Sequence, residues 1–312
     1  MNLALGTLET RMFSRHFKME GETLSVHPND IPDAVLSSEP FEDLEYVSKK
    51  LTGRLCVLPD DIYKDLFPFP WVEKDPSDTQ GFISFRYFDG VDWRPQTLVG
   101  VELQHLLSGD LGPLEHAGMA IRPVERTKVN EVYEEGRFIS LLRQCEYRGF
   151  VTVRFNLPRE VGDVISIRSV DLSAPDYALA HVIEGCKERT MDYFVTEGAR
   201  LFDSWTTSLV LYRWPYPQDS HGAVKQLQPV HGLTNDVLKH FWPIDIDMYR
   251  KARNTTGGLL GVASAWNEDL RQACNRVIHT LMNLEVEGKF YRVDLLRRAR
   301  WTAERMEEAG VF

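Results

Sequence analysis

Residues 108–123, SGDLGPLEHAGMAIRP, set Gly109, Asp110, Gly112, Pro113 and Gly118 between two apolar runs. Such a loop does one of two things. Its small residues let backbone N–H groups come close to an anionic ligand, or they only turn a corner. His105 and His116 flank it, but a turn between them does not present two ligands on one face, so no zinc pair is expected. Ser204 and Ser264 lack the glycine elbow of a hydrolase nucleophile. Cys56, Cys145, Cys186 and Cys274 have no short spacing of the kind metal or redox motifs use, so buried reduced thiols are expected. Trp71, Trp93, Trp205, Trp214, Trp242, Trp266 and Trp301 are spread evenly, as core and interface anchors are, and do not form a stacking platform for single strands.

A chain of 312 residues accommodates two or three domains. Its 43% hydrophobic and 26% charged content is that of an ordinary globular protein, and no apolar run reaches the length that crosses a bilayer. The opening MNLALGTLETRMFSRHFK has neither a basic start nor a cleavage site, so no secretory signal and a cytoplasmic location are expected. The net charge of −10 argues against a broad nucleic-acid surface. Arg297, Arg298 and Arg300 group near the start of a terminal helix, LLRRARWTAERMEEAG, where cations oppose the helix dipole; they mark either an acidic partner or a solvated face.

The elements that must position these residues are legible in the pattern. Residues 26–47 hold six acids and no lysine or arginine, and predict two short helices capped by Asn29 and Ser38. In GFISFRYFDGVDWRPQTLVGVEL, Phe82, Ser84 and Arg86 alternate against Ile83, Phe85 and Tyr87, and Asp89-Gly90 suits a tight turn, which predicts a β-hairpin. A helix over about 127–146 follows, then a second hairpin from FVTVRFNL and VISIRSVDL. Residues 176–201 have helical spacing, WTTSLVLYRW reads as a strand, and short strands are expected near 241–246 and 258–264. Asn267 is the expected cap of a helix whose apolar face is Leu270, Cys274, Val277, Ile278, Leu281 and Met282. Strands and helices in mixed order predict an α+β protein.

The order of these pieces resembles the phosphoribosylamine-glycine ligase family of ATP-grasp enzymes in purine biosynthesis, and in particular divergent relatives carried by phages. The pieces are the DG hairpin, the GDLGP loop ending in Gly-Met, YRGFVTVRF with its second hairpin, VIEG, PYP, and LLGVASAWNEDLRQACNRVIHTL with EGKFYRVDL. They are collinear over roughly residues 80–300. The resemblance implies an ATP-grasp distal lobe of antiparallel sheet and helices at 81–200, a small ligase-type C-terminal α+β domain at 201–312, and a shortened nucleotide-binding half at 1–80. It implies ATP and Mg²⁺ as cofactors and an acyl phosphate made from a carboxylate and attacked by an amine. Asp110, Gly112 and Gly118 then line a substrate cleft, and Arg292 and Asp294, of the Tyr-Arg-x-Asp ending, help to close it. The other reading of Arg292 and Asp294 is a buried pair that fixes the chain's return against the sheet.

Departures from the family pattern bear on the chemistry. Its Asn-Thr-Gly-Gly is replaced by Leu114, Glu115, His116, Ala117 and Gly118, and a carboxylate at Glu115 repels phosphate. Aligning on Pro175 puts Ile167 and Ser169 where metal ligands belong, with Arg168 between them and Asp171 in place of an arginine; this set cannot hold magnesium. Asp163, Asp171 and Asp176 are the replacement ligands to test, with Arg154, Arg168 and Asp171 as the catalytic candidates. The plainer reading of Arg168 and Asp171 is a structural ion pair or a solvated strand end. Lys18 is the candidate phosphate lysine, and Glu73 of WVEKD the candidate acid near the adenine. Two functions are carried forward. One is an ATP-dependent ligase acting on a small carboxylate and an amine. The other is an inactive homologue, needing no cofactor, that works as partner of a companion ligase chain or of itself, or as a repurposed structural protein, in the cytosol of a host if phage-borne.

Overall fold

The structure, a computed structural model, describes residues 39–40, 56–57, 81–144, 147–157, 165–172, 174–175, 193–194, 198–217, 227–249 and 252–312. The chain divides into two units. One comprises residues 1–101, 122–203 and 300–312, the other 102–121 and 204–299. Residues 108–121 of the glycine-rich stretch thus belong to the same unit as residues 204–299. Among the described residues no helix is long and apolar enough to cross a membrane.

In the first unit, β1 (Glu39–Pro40) and β2 (Cys56–Val57) form a short parallel pair. The helix predicted to start after Ser38 is therefore corrected at Glu39 and Pro40; the residue before a proline is pushed toward extended backbone. The main sheet follows the order β7-β6-β3-β4, built from β7 (Ser166–Asp171), β6 (Gly149–Asn156), β3 (Gly81–Phe88) and the start of β4 (Thr97–Leu107). The strands of both predicted hairpins pair antiparallel. The first closes through a longer turn than Asp89-Gly90 alone suggests: Asp89 Oδ1 accepts from the N–H of Val91 at 2.9 Å and of Asp92 at 2.8 Å, and Phe88 bridges to Trp93. Because β3 is paired on both sides and covered on both faces, even its polar residues are buried. Ser84 Oγ meets Tyr133 OH at 2.7 Å, and Arg86 Nε donates to the Arg94 carbonyl at 2.7 Å, so neither is left unsatisfied.

The helix expected at 127–146 is two pieces, α1 (Asn130–Tyr133) and α2 (Gly136–Gln144), with the break falling beside Gly136. Their apolar residues Val132, Tyr133, Phe138 and Leu142 meet Phe82, Val99, Val153, Phe155, Ile167 and Val170 in one core, which Met306 and Val311 complete. Residues 158–164, the turn of the second hairpin, and 176–192, most of the predicted helix at 176–201, lie outside the described residues.

In the second unit the end of β4 and β5 (Leu111–Val124) lead to the order β4-β5-β8-β12-β9, with β8 (Trp205–Arg213), β12 (Leu259–Asn267) and β9 (Phe241–Pro243); β13 (Lys289–Phe290) also pairs with β8. The hairpin β10 (Ile246–Tyr249) and β11 (Ala252–Thr255) stands as a separate two-stranded sheet, preceded by the single-turn helix α3 (Asn235–Leu238). Helix α4 (Leu270–Met282) packs across β8 and β12 and buries Ala273, Cys274, Val277 and Leu281. Its cap is Asp269, whose side chain accepts from Gln272 N–H at 2.8 Å; Asn267 instead accepts from the Asp269 N–H. Met282, expected on the apolar face, is exposed. The helix ends on Lys289, whose Nζ donates to the carbonyls of Leu281, Met282 and Leu284. Helix α5 (Leu295–Glu308) closes the chain.

Trp93, Trp205 and Trp242 are core residues as expected, whereas Trp214 and Trp301 are exposed, and Trp71 lies outside the described residues. Cys274 is a free buried thiol, pushed up to about 12 by burial. Cys145 and Cys186 lie outside the described residues.

Candidate functional site

Two places gather the residues picked out by sequence, one in each unit. In the first unit they lie on β6 and β7. The pairing runs Thr152↔Asp171, Val153↔Val170 and Arg154↔Ser169, then jumps to Phe155↔Ile167, so Arg168 is an extra residue on β7. A bulge of this kind breaks the alternation of faces. Ile165, Ile167, Val170 and Leu172 all enter the hydrophobic core, leaving Ser169 and Asp171 on the opposite face. Ile167 and Ser169, two residues apart, thus face opposite ways. Across the sheet, Arg154 Nη1 donates to Asp171 Oδ2 at 2.5 Å, with both side chains largely covered. Arg154 and Asp171 therefore come together, and the partner of Asp171 is Arg154. Magnesium needs several oxygen ligands in a set geometry. A buried isoleucine, a serine and a carboxylate already neutralised by arginine do not fit it. Among the described residues no group of three His, Cys, Asp or Glu side chains could hold a metal ion. Lys18, Glu73, Asp163 and Asp176 lie outside the described residues.

In the second unit the turn between β4 and β5 brings Asp110 to Arg292 and Asp294, 182 residues and more along the chain. Arg292 is fully buried. Its Nε and Nη2 donate to the two oxygens of Asp294 at 2.8 and 2.7 Å, a bidentate pair, while Nη1 donates to Asp110 Oδ1 and to the His105 carbonyl, each at 3.0 Å. The second oxygen of Asp110 accepts from Arg298. Asp294 also accepts from the Gly109 N–H at 3.0 Å, and Ser108 Oγ from the Val293 N–H at 3.3 Å. Two arginines and two aspartates thus balance in charge and pin the turn to the start of α5. The turn needs this help: Gly109, Gly112 and the non-glycine Asp110 all have left-handed φ, at 78°, 80° and 58°. Gly112 sits on the same turn, its carbonyl 2.9 Å from His105 Nδ1. Gly118 lies deeper, in the buried part of β5, where an added Cβ would stand 2.6 Å from the Ser208 carbonyl oxygen. Its smallness serves the approach of β5 to β8.

Burial alone would raise the Asp294 carboxyl, but the hydrogen bonds from Arg292 and the Gly109 N–H outweigh it and hold the group at about 2. A depressed carboxylate contributes stability above its unfolded value of 3.8 and loses it as pH falls through about 2. Unfolding titrations in urea should therefore show the second unit losing about 2 kcal/mol between about pH 4 and pH 2, and Asp294→Asn should remove that slope.

Sequence reasoning missed four partners in this unit. Arg298, read as part of a charge group, is the second cation on Asp110. Glu115 is engaged by tyrosines: Tyr216 OH donates to Glu115 Oε2 at 2.5 Å and Tyr212 OH to its backbone oxygen at 3.0 Å, the two rings stacking at 4.8 Å. His116 Nδ1 lies 2.9 Å from the nearly buried carboxylate of Glu102. The loop thus places one carboxylate held by tyrosine where a phosphate-binding loop keeps backbone N–H groups open.

No protein-family model and no curated protein matches this chain. Among solved structures, phosphoribosylamine-glycine ligase from Thermotoga maritima is similar over 69% of this chain and 55% of that chain, with 17% identity and a TM-score of 0.51. The chain therefore spans about half the length of that ligase. The biotin carboxylase subunit of pyruvate carboxylase is matched over 75% of this chain and 52% of that one, at 8% identity and a TM-score of 0.42. Rhizobium etli pyruvate carboxylase is matched over 87% and 31%, at 9% identity and 0.45. These two likenesses are too low to argue from, and that to the ligase speaks to fold alone. The fold is α+β and ATP-grasp-like, with a large antiparallel sheet.

Proposed function

We propose that this chain is an ATP-grasp-fold protein that does not itself form an acyl phosphate, and that it acts as partner subunit of a complete carboxylate–amine ligase. The observation that carries this reading is the bulge at Arg168. It turns Ile167 into the core, while the carboxylate on the other face, Asp171, is taken by Arg154. A site for magnesium would have to undo both.

A second reading is ATP-dependent ligation of a carboxylate to an amine by this chain alone. It is favoured by Arg154 and Asp171 standing together on one sheet face, where a guanidinium offsets phosphate charge. It also requires Lys18, Glu73, Asp163 and Asp176.

Calorimetric titration of the full chain with ATP and Mg²⁺ separates the two. The expected result is no saturable heat from the chain alone, with a stable complex by size exclusion on mixing with a complete phosphoribosylamine-glycine ligase from the same organism. Saturable, magnesium-dependent binding by the chain alone would overturn the partner reading and return the chemistry to the aspartates.

A further inference from the structure

Four of the large apolar side chains left exposed among the described residues lie on or beside the β4–β5 hairpin tip of the second unit. Leu107, Leu111 and Leu114 on the β4–β5 hairpin are 44%, 63% and 65% exposed, and Val293 is 65% exposed. The Val293 N–H donates to Ser108 Oγ, and a Cβ added to Gly112 would stand 3.3 Å from Leu107 Cγ, so Val293 and Leu107 both border the tip. Residues 111–114 are exposed throughout, so the hairpin tip meets solvent on both faces. A single exposed leucine is ordinary, but a cluster on one turn marks an interaction site.

The tip is also rigid and charged at its rim. Arg292 and Arg298 grip Asp110, and Asp294 holds the Gly109 N–H, so little is left to order when something docks. Beside the tip, Arg297 is exposed in the first turn of α5, where the helix dipole disfavours a cation, and it forms no ion pair among the described residues. A carboxylate on a docked surface would offset both. A second copy of this chain fits badly. A two-fold contact centred here sets Arg297 near its own mate.

We propose that the β4–β5 tip, with Val293 and Arg297, is the docking surface for a different protein chain that presents an apolar pocket edged by carboxylates. The identity of that chain as a complete ligase rests on the function proposed above; the surface itself does not.

The test is photo-crosslinking in cells that make the full chain, with p-benzoylphenylalanine placed at Leu111 or Leu114, and at the equally exposed Val91 of the first unit as control. All three sites are exposed, so the fold is kept. The expected result is one protein adduct from both Leu111 and Leu114, absent from Val91, whose contact peptide contains Asp or Glu, and which Arg297→Glu reduces about fivefold or more. An adduct with a ligase chain supports both proposals. An adduct with some other protein that meets the same criteria supports the surface and sinks the ligase partnership. No adduct, adducts only between copies of this chain, equal capture from Val91, or capture indifferent to Arg297→Glu overturns the docking surface.

Discussion

Replacing Arg292 by methionine is expected to destabilise the second unit by about 3–5 kcal/mol, read as a lowered urea midpoint. Methionine keeps much of the aliphatic stem but removes the donors that serve Asp294, Asp110 and the His105 carbonyl. Two carboxylates are then left in a covered place with Arg298 and the Gly109 N–H alone. The Gly109 N–H should lose its protection from hydrogen exchange before the rest of the unit does, because the turn has lost what fixes its left-handed backbone. Adding Asp294→Asn should recover part of the loss by removing an uncompensated charge, a coupling that a double-mutant cycle measures directly. A cost below about 1 kcal/mol would mean that water already reaches both carboxylates, as at a surface ion pair, and that the tie does not hold the turn.

Phe155→Ala should cost the first unit a similar amount, about 3–5 kcal/mol, by loss of buried apolar contact and by the cavity left behind. Phe155 is fully buried, stacks on Phe82 at 4.8 Å and pairs with Ile167 across the sheet. Urea unfolding followed by tryptophan fluorescence, to which Trp93 of the same core contributes, reports the change. A loss below about 2 kcal/mol would show that α1 and α2 close onto the sheet to fill the space.

What the sequence made legible was local. The alternation in GFISFRYF and FVTVRFNL declares strands, and the apolar spacing in LRQACNRVIHTL declares a helix, because each pattern needs only neighbours in the chain. Asp269 as the cap was also readable, since Gln272 stands three residues on in the manner of a capping box. The bulge in β7 left a trace too: apolar residues fall at 165, 167, 170 and 172, so the spacing slips once from two to three. Aligning on Pro175 passed over that slip. The grip of Arg292 on Asp110 was a different matter. Nothing within ten residues of either announces the other, and only a resemblance spanning both pointed there. Glu115 was visible as a departure, but its engagement by Tyr216 was not, since it depends on how β8 ends beside β5.

The extra residue at Arg168 acts on β7 as a change of parity. Substitutions at 167 or 169 alter what a side chain is, but none of them alters which side it is on. Removing Arg168 alone would make Ile167 and Ser169 neighbours, so alternation would keep Ile167 opposite Phe155 in the core and Ser169 opposite Arg154, and only the bulge would go.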